Sequence, residues 1–160
     1  MQFTQSVSYP GTVDEVVAMY LTPAYLERRF GQFVVEGSAT VSVEGERVSF
    51  AGTVRPELIP AAAARFVKSD LRITFTEEWT TNEAGATSRT SVTVDGAPVS
   101  VEATSTLTSA DAGCIRDVTG NVSVRVPLLG GRIEKEAVAH LGRVVEREQA
   151  LATQWLEEHR

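Results

Sequence analysis

LLGGRIEKEAVAHLGRVVEREQALATQWLEEHR, residues Leu128 to Arg160, decides the fold. Pro127 stops the strand-like run before it, and the residues after it read as one helix of roughly 28 residues. At about 100° per residue, Ile133, Ala137, Leu141, Val144, Leu151, Ala152 and Trp155 fall in one stripe, with Val145 at its edge. Lys135, Gly142, Arg143, Glu146, Ala150, Thr153 and Glu157 fall opposite. One residue breaks the pattern. Glu148 lies near the centre of the apolar stripe, and a charge is almost never buried without a partner.

A helix with so wide an apolar face needs a large apolar surface, and the middle of the chain supplies one. From Phe33 to Val126, Val, Thr and Ser dominate, broken by turn signals at Glu44-Gly45, Asn82 to Gly85, Asp95-Gly96 and Asp111 to Gly113. The spacing predicts strands over about 33–43, 47–55, 71–81, 87–94, 99–108 and 114–126, paired as successive antiparallel hairpins. Val48, Phe50, Gly52 and Val54 share one face. So do Val99, Val101, Ala103, Ser105 and Leu107, and again Val118, Gly120, Val122, Val124 and Val126. The opposite faces are mostly Ser, Thr and charged residues, which means a sheet packed on one side only. Arg55 to Phe66, with two prolines and four consecutive alanines, is expected to be a loop or short helix.

The opening residues add one more strand. Phe3, Gln5, Val7 and Tyr9 alternate with polar neighbours until Pro10-Gly11. Thr12 with Glu15 forms a capping-box pattern before a short helix, and Thr22-Pro23 opens a second, ended by Gly31. A strand, two short helices, six antiparallel strands and a long helix is the element order of the helix-grip fold, an α+β architecture. Tyr9 to Phe30, YPGTVDEVVAMYLTPAYLERRF, resembles the opening of START-like proteins. Trp79, the DGAPV turn, Gly113, Gly120 and VPLLGGRIEK (Val126 to Lys135) resemble an actinobacterial branch of unknown function within the polyketide cyclase/lipid transport group.

The resemblance covers nearly all of residues 1–160 and implies a single helix-grip domain: a seven-stranded sheet curved around the C-terminal helix, with a cavity between them. Family members bind lipids, sterols, polyketides or other apolar ligands there, and a minority catalyse cyclisation or dehydration. Fold alone does not choose among these.

Composition excludes other classes. With 15 basic against 21 acidic side chains, the formal charge is −6, opposite to the basic stripe of a nucleic-acid binder. One cysteine, Cys114, permits no intrachain disulfide, and with His140 and His159 it cannot build a zinc cluster. No stretch approaches the roughly 20 apolar residues of a membrane span, and the N-terminus lacks a signal-peptide pattern. The expectation is a soluble, cytoplasmic protein with no metal or cofactor, no nucleic-acid partner and no integral membrane association.

Glu148 leads the candidate site residues. Facing a cavity, it would orient a polar ligand group or act as a general base; otherwise it is a structural carboxylate bonded to a sheet Arg or Tyr. Leu141, Val144, Val145 and Ala152 would line the helix side of the cavity. Phe50, Phe75, Trp79 and Arg116 would line the sheet side. Arg116 is placed to reach a ligand carboxylate, to pair with Glu148 or to extend to solvent. Glu77 reads as a sheet-end charge and His140 as a boundary residue beside Glu136, and His159 is expected to fray. Tyr9, Tyr20 and Tyr25 read as core packing or as hydroxyls at a cavity mouth. Cys114 reads as a small buried hydrophobe. Gly130-Gly131 lacks phosphate-loop spacing and is read as a sharp strand-to-helix turn.

Three functions remain in view. The first is a binding protein holding an apolar, lipid- or polyketide-like molecule, with Arg55 to Phe66 and the two short helices at the rim. The second is a cyclase or dehydratase using Glu148, with His140, as acid or base. The third is a cochaperone-like interaction module, which would need an apolar patch on the outer sheet face.

Overall fold

The computed structural model describes residues 1–59, 61–65, 67 and 69–160. Strand β1 (Gln2–Tyr9) leads into helices α1 (Val13–Tyr20) and α2 (Pro23–Phe30). Strands β2 (Thr40–Glu44) and β3 (Arg47–Thr53) follow, then a short helix α3 (Ala61–Ala64). Four long strands come next: β4 (Arg72–Asn82), β5 (Gly85–Asp95), β6 (Val99–Ala110) and β7 (Gly113–Val124). Helix α4 (Gly130–Glu158) closes the chain. All seven strands form one antiparallel sheet in the order β1-β7-β6-β5-β4-β3-β2. The expected START-like helix-grip architecture is therefore present.

Local chemistry explains most boundaries. Thr12 Oγ1 accepts from the Glu15 amide at 3.1 Å while the Thr12 amide donates to Glu15 Oε1 at 3.3 Å, so the capping box opens α1 as expected. Pro23 is the first residue of α2, but Thr22 does not cap it; its hydroxyl donates back to the Ala18 carbonyl at 2.7 Å. Gly31 does not end α2 in a left-handed conformation either. It stays right-handed and starts a single 3₁₀ turn, Gly31–Phe33.

The strand expected over 33–43 is shorter, beginning at Thr40. Phe33 belongs to the turn, Val34 makes an isolated bridge to Val54, and Gly37, at φ 81°, breaks the ladder with Ser38, whose amide bonds back to the Val35 carbonyl. The segment from Arg55 holds a 3₁₀ turn (Pro56–Leu58) and α3, as composition suggested. Pro60 and Phe66, which were part of that expectation, lie outside the described residues.

The inner face of the sheet carries two apolar clusters. The larger unites β1, α1, α4 and the far ends of β4 to β7, around Tyr9, Tyr20, Tyr25, Trp79, Leu107, Trp155 and Leu156. The smaller joins Leu26, Val34, Val48, Phe50 and Phe75, with Phe30 against it. Gly130 lets the β7–α4 turn close: a Cβ there would stand 2.2 Å from the Val124 carbonyl oxygen, while Gly131 faces open space. The turn reading thus holds for one glycine of the pair. Leu128, fully exposed, carries the turn's strain at φ 68°.

Helix α4 is rotated slightly from the simple wheel. Val144, placed within the stripe, is 47% exposed, whereas Val145 packs against the core and Leu156 is buried. The large exposed apolar residues, Met1, Val35, Leu58, Leu128 and Val144, lie at turns, at the first residue and on α4. Among the described residues, none is on the outer face of the sheet, so the surface a cochaperone-like module would need is missing there.

Candidate functional site

The sheet delivers two charges to its inner face. On β4 the alternation that buries Phe75 and Trp79 also buries Glu77, and on β7 the alternation through Cys114 buries Arg116. The two meet: Arg116 Nη2 lies 2.8 Å from Glu77 Oε2, with the side chains 5% and 1% exposed. Glu77 also accepts from Trp79 Nε1 at 3.0 Å and Thr90 Oγ1 at 2.7 Å. Arg116 also donates to Ser105 and Ser88, whose hydroxyls bond each other, and its guanidinium lies against the rings of both Tyr20 and Trp79, 4.9 Å from each centroid. Both carboxylate oxygens of Glu77 and two of the three guanidinium nitrogens of Arg116 are hydrogen-bonded, the kind of support a buried ion pair requires.

This overturns two expectations. Arg116 neither pairs with Glu148 nor extends to solvent, and Glu77 is no sheet-end charge. Burial alone would push the Glu77 carboxyl up. The Arg116 guanidinium, with Arg29 behind it and hydrogen bonds from Thr90 and Arg116, outweighs this and holds it below the usual carboxylate range.

A second pair joins the helices. Glu148 faces inward, as its place on α4 predicted, but its partners come from α1 and α2 rather than from the sheet. Arg29 Nη2 stands 2.8 Å from Glu148 Oε1, and Tyr20 donates its hydroxyl to the same oxygen at 2.7 Å. Tyr9 and Tyr20 share a 2.5 Å hydroxyl contact, so a hydrogen-bonded chain runs Tyr9–Tyr20–Glu148. Burial, and then the Glu148 charge, push the Tyr9 phenol up to about 12 and that of Tyr20 well above its ordinary value. Both stay neutral at ordinary pH. Arg29 lies against the rings of Tyr20, Phe30 and Phe75, and its second terminal nitrogen, Nη1, is buried with no oxygen partner.

Arg29 escaped the sequence-derived set. The signal was present: Tyr25, Leu26, Arg29 and Phe30 share one face of α2 at helical spacing. A charge inside that face is the same anomaly that marked Glu148.

Between these pairs and α4 lies a cavity of about 150 Å³. Leu141, Val144, Val145 and Glu148 line it from α4, and Arg116 and Glu77 from the sheet, with Tyr9 and Arg29 beside them. The remaining sequence candidates lie elsewhere. Phe50 and Phe75 pack under Phe30 at centroid distances of 5.2 and 4.6 Å. Trp79 stacks on Tyr20 at 5.4 Å, and Ala152 is buried in the larger core. These four fill the core and do not border the cavity; large flat rings and a small helical residue pack the space where α1 and α2 cross the sheet.

A second cavity, of about 240 Å³, lies nearer the start of α4. Its described lining is apolar apart from backbone: Leu58, Ile59, Ala63 and Val67 from the α3 segment, Ile133 from α4, and Val94, Val99 and Val124 among the sheet residues. Of the expected rim segment, the described residues Leu58, Ile59 and Ala63, with Val67 beyond it, therefore border this second cavity rather than the one at Glu148. The two cavities take opposite ends of the same elements. Val99 belongs to one and Val101 to the other; Ile133 belongs to one and Leu141 to the other.

His140 is exposed on α4 and joins neither cavity. His159 does not fray: its ring stacks on Trp155 at 3.9 Å and its Nδ1 lies 2.8 Å from the Trp155 carbonyl. Tyr25 is buried in the core beside Trp155. Cys114 is buried, and burial, reinforced by Glu15, pushes its thiol up to about 11, away from nucleophilic use. Among the described residues no cluster of His, Cys, Asp and Glu could hold a metal ion, and no helix is long and apolar enough to cross a membrane.

Comparison with known proteins matches this architecture. The family described as "Protein of unknown function (DUF2505)" matches residues 4–156. An uncharacterized protein of Mycobacterium tuberculosis is 25% identical over 166 aligned positions, covering 96% of this chain and 95% of its own; one from Mycobacterium bovis matches equally. A conserved protein from Geobacillus kaustophilus superposes with a TM-score of 0.61 at 18% identity, covering 99% of this chain and 96% of that one. Ara h 8.0201 gives 0.61 at 10% identity, covering 99% and 98%. A START superfamily protein from Mycobacterium smegmatis gives 0.51 at 11%, covering 93% and 97%. At such identities the structures speak for the fold, and the sequence match speaks for the family: the chain has the START-like helix-grip fold and belongs to the family of unknown function DUF2505.

Proposed function

We propose that the protein binds an apolar small molecule between its sheet and α4. The observation that carries this reading is the space itself. Interiors normally pack to crystal-like density with few voids larger than a water. Here Trp79, Phe50, Phe75 and Trp155 fill much of the core, yet cavities of about 150 and about 240 Å³ remain under one helix. One is bordered by a polar cluster, the other by apolar side chains. A few placed polar groups beside an apolar lining is the usual make-up of a small-molecule site. The polar end would orient the ligand through Glu148, Arg29 and Arg116, and apolar burial would supply most of the affinity.

Acid–base catalysis at Glu148 is the second reading. The Tyr9–Tyr20–Glu148 chain favours it, since it could pass a proton along oxygens. Two observations weigh against it. Glu148 Oε1 already holds both Arg29 and Tyr20, and the expected second group, His140, faces solvent.

Native mass spectrometry of protein purified from its own cells tests the binding reading. A retained small molecule of defined mass, released on denaturation, is the expected result. Protein that is bare, and that takes up no apolar fluorescent probe, sinks it. Turnover of a retained molecule would favour the enzyme reading instead.

A further inference from the structure

Very little separates the two cavities under α4. On β6 they are lined by Val101 and Val99, consecutive inward positions about 7 Å apart. On α4 they are lined by Leu141 and Ile133, with Ala137 midway on the same stripe, about 6 Å along the axis from each. On β5 Thr90 lines one and Val94 the other, and Val92 stands between them. Val92, Val101 and Val122 are cross-strand partners, so one row of the sheet underlies the junction. Val122 is buried, but Val92, Val101 and Ala137 are only half-buried. Half-covered side chains on an inner face border open space rather than a packed wall.

Size and chemistry fit two halves of one site. At about 150 and about 240 Å³, each cavity falls below the roughly 300–1,000 Å³ of an ordinary ligand pocket, and joined they pass its lower bound. A cavity of about 150 Å³ takes up benzene, roughly 25 Å³ for each carbon. On that scale the larger cavity holds about nine carbons and the two joined about fifteen. The described lining of the larger one has no polar side chain, and the turn in its wall uses its own polar groups. The Val99 amide donates to the Ala97 carbonyl, and the Pro98 carbonyl accepts from the Arg125 amide, both at 2.9 Å. A polar ligand group placed there would give up water for no partner. The charged side chains, Arg29, Glu77, Arg116 and Glu148, all stand at the smaller cavity.

Resting on the small-molecule reading, we propose that the two cavities are the ends of one site, and that its ligand is a single slender alkyl chain of about ten to fifteen carbons with one polar end. The polar end lies on the Glu148 side, and the chain passes beneath Ala137 into the space bordered by Leu58, Val94 and Ile133. Ala137 sets the chain length, because carbon added to its side chain is placed at the junction. Buried Val122 keeps the junction narrow from the sheet side, which admits a chain and turns away fused rings.

A homologous series of radiolabelled straight-chain alcohols, 1-hexanol to 1-dodecanol, tests this by equilibrium dialysis. A hydroxyl both donates and accepts, so the series does not prejudge which polar group meets it. Affinity is expected to rise about fourfold for each added methylene through the whole series, leaving 1-dodecanol about a hundredfold or more ahead of 1-octanol. Ala137→Leu should cut that lead to about tenfold or less and keep 1-octanol within about threefold of its original affinity. Val92→Phe blocks the same junction from β5 and should do likewise, which keeps the test open if one variant fails to fold. Ala150→Leu, on the exposed side of α4, should leave the series unchanged. A gain that stops near nine carbons in the unaltered protein overturns the proposal and leaves the small-molecule reading intact. So does a 1-dodecanol lead that survives both junction variants. Binding of no alcohol, with no molecule retained in native mass spectrometry, overturns both.

Discussion

Arg116 on β7 and Glu77 on β4 form an ion pair of 2.8 Å across two intervening strands, β5 and β6, on the inner face of the sheet. Such a pair is costly to break and cheaper to replace whole, because removing one partner strands a buried charge. Arg116→Met or Glu77→Gln alone should lower the unfolding free energy by about 3–5 kcal/mol. The double variant should lose clearly less than the sum of the two. Urea unfolding of all four proteins measures the coupling, and strict additivity would contradict a direct pairing of the two residues.

The same cluster predicts a stability window. Glu77 has a folded value below its unfolded one of about 4.3, so its contribution is present above that pH and is lost as pH falls through the folded value. Tyr9 has the opposite sense. Its phenol rises from 10.0 to about 12 on folding, so its contribution is present below pH 10 and disappears as pH climbs through about 12. Denaturation midpoints against pH should form a plateau with an acid and an alkaline limb. Arg116→Met/Glu77→Gln should flatten the acid limb, and Tyr9→Phe the alkaline one. Limbs unchanged in those variants would assign the pH sensitivity to other groups.

Filling the cavity beside Glu148 should separate binding from folding. Val101 faces that space from β6 and is only partly buried. Val101→Phe is expected to occupy it with little change in melting temperature, and to abolish retention of any bound molecule. Full retention would place the ligand elsewhere, with the α3-covered cavity the next candidate.

The turn before α4 offers paired changes of opposite sign. Leu128 is fully exposed with a left-handed backbone, a conformation that costs about 1–2 kcal/mol for such a residue and less for Asn. Leu128→Asn should raise the melting temperature by about 2–4 °C. Gly130→Ala should lower stability, because its methyl group would press on the Val124 carbonyl oxygen. Gly131→Ala, in open space, should not.

The sheet and α4 were legible because their signals are periodic and local: alternation along β6 and β7, and the stripe through Leu141 and Trp155, need no knowledge of distant residues. Glu148 was legible for the same reason, as a charge inside an apolar period. Its partners were not. Arg29 and Tyr20 lie 119 and 128 positions earlier in the chain, and nothing in either segment alone says that α1 and α2 cross the sheet at that height. The alternation marked Glu77 and Arg116 as inward, yet their mutual pairing depends on the strand order and register, which spacing does not encode. Val144 shows the finer limit: a small rotation of α4 about its axis exchanges its burial for that of Leu156.

The pairing of β1 with β7 joins residues 2–9 to residues 114–121. During synthesis the first strand of this sheet therefore has to wait for its last. Until β7 and α4 emerge, β1 has no strand to pair with, although Leu26 and Phe30 of α2 can already close against Val48, Phe50 and Phe75. Long-range pairing of this kind folds slowly and leaves strand edges open to misassociation. The wall around the Glu148 cavity is thus completed only after β7 and α4 have been made, and a chain cut short before α4 would have a sheet but nothing to grip.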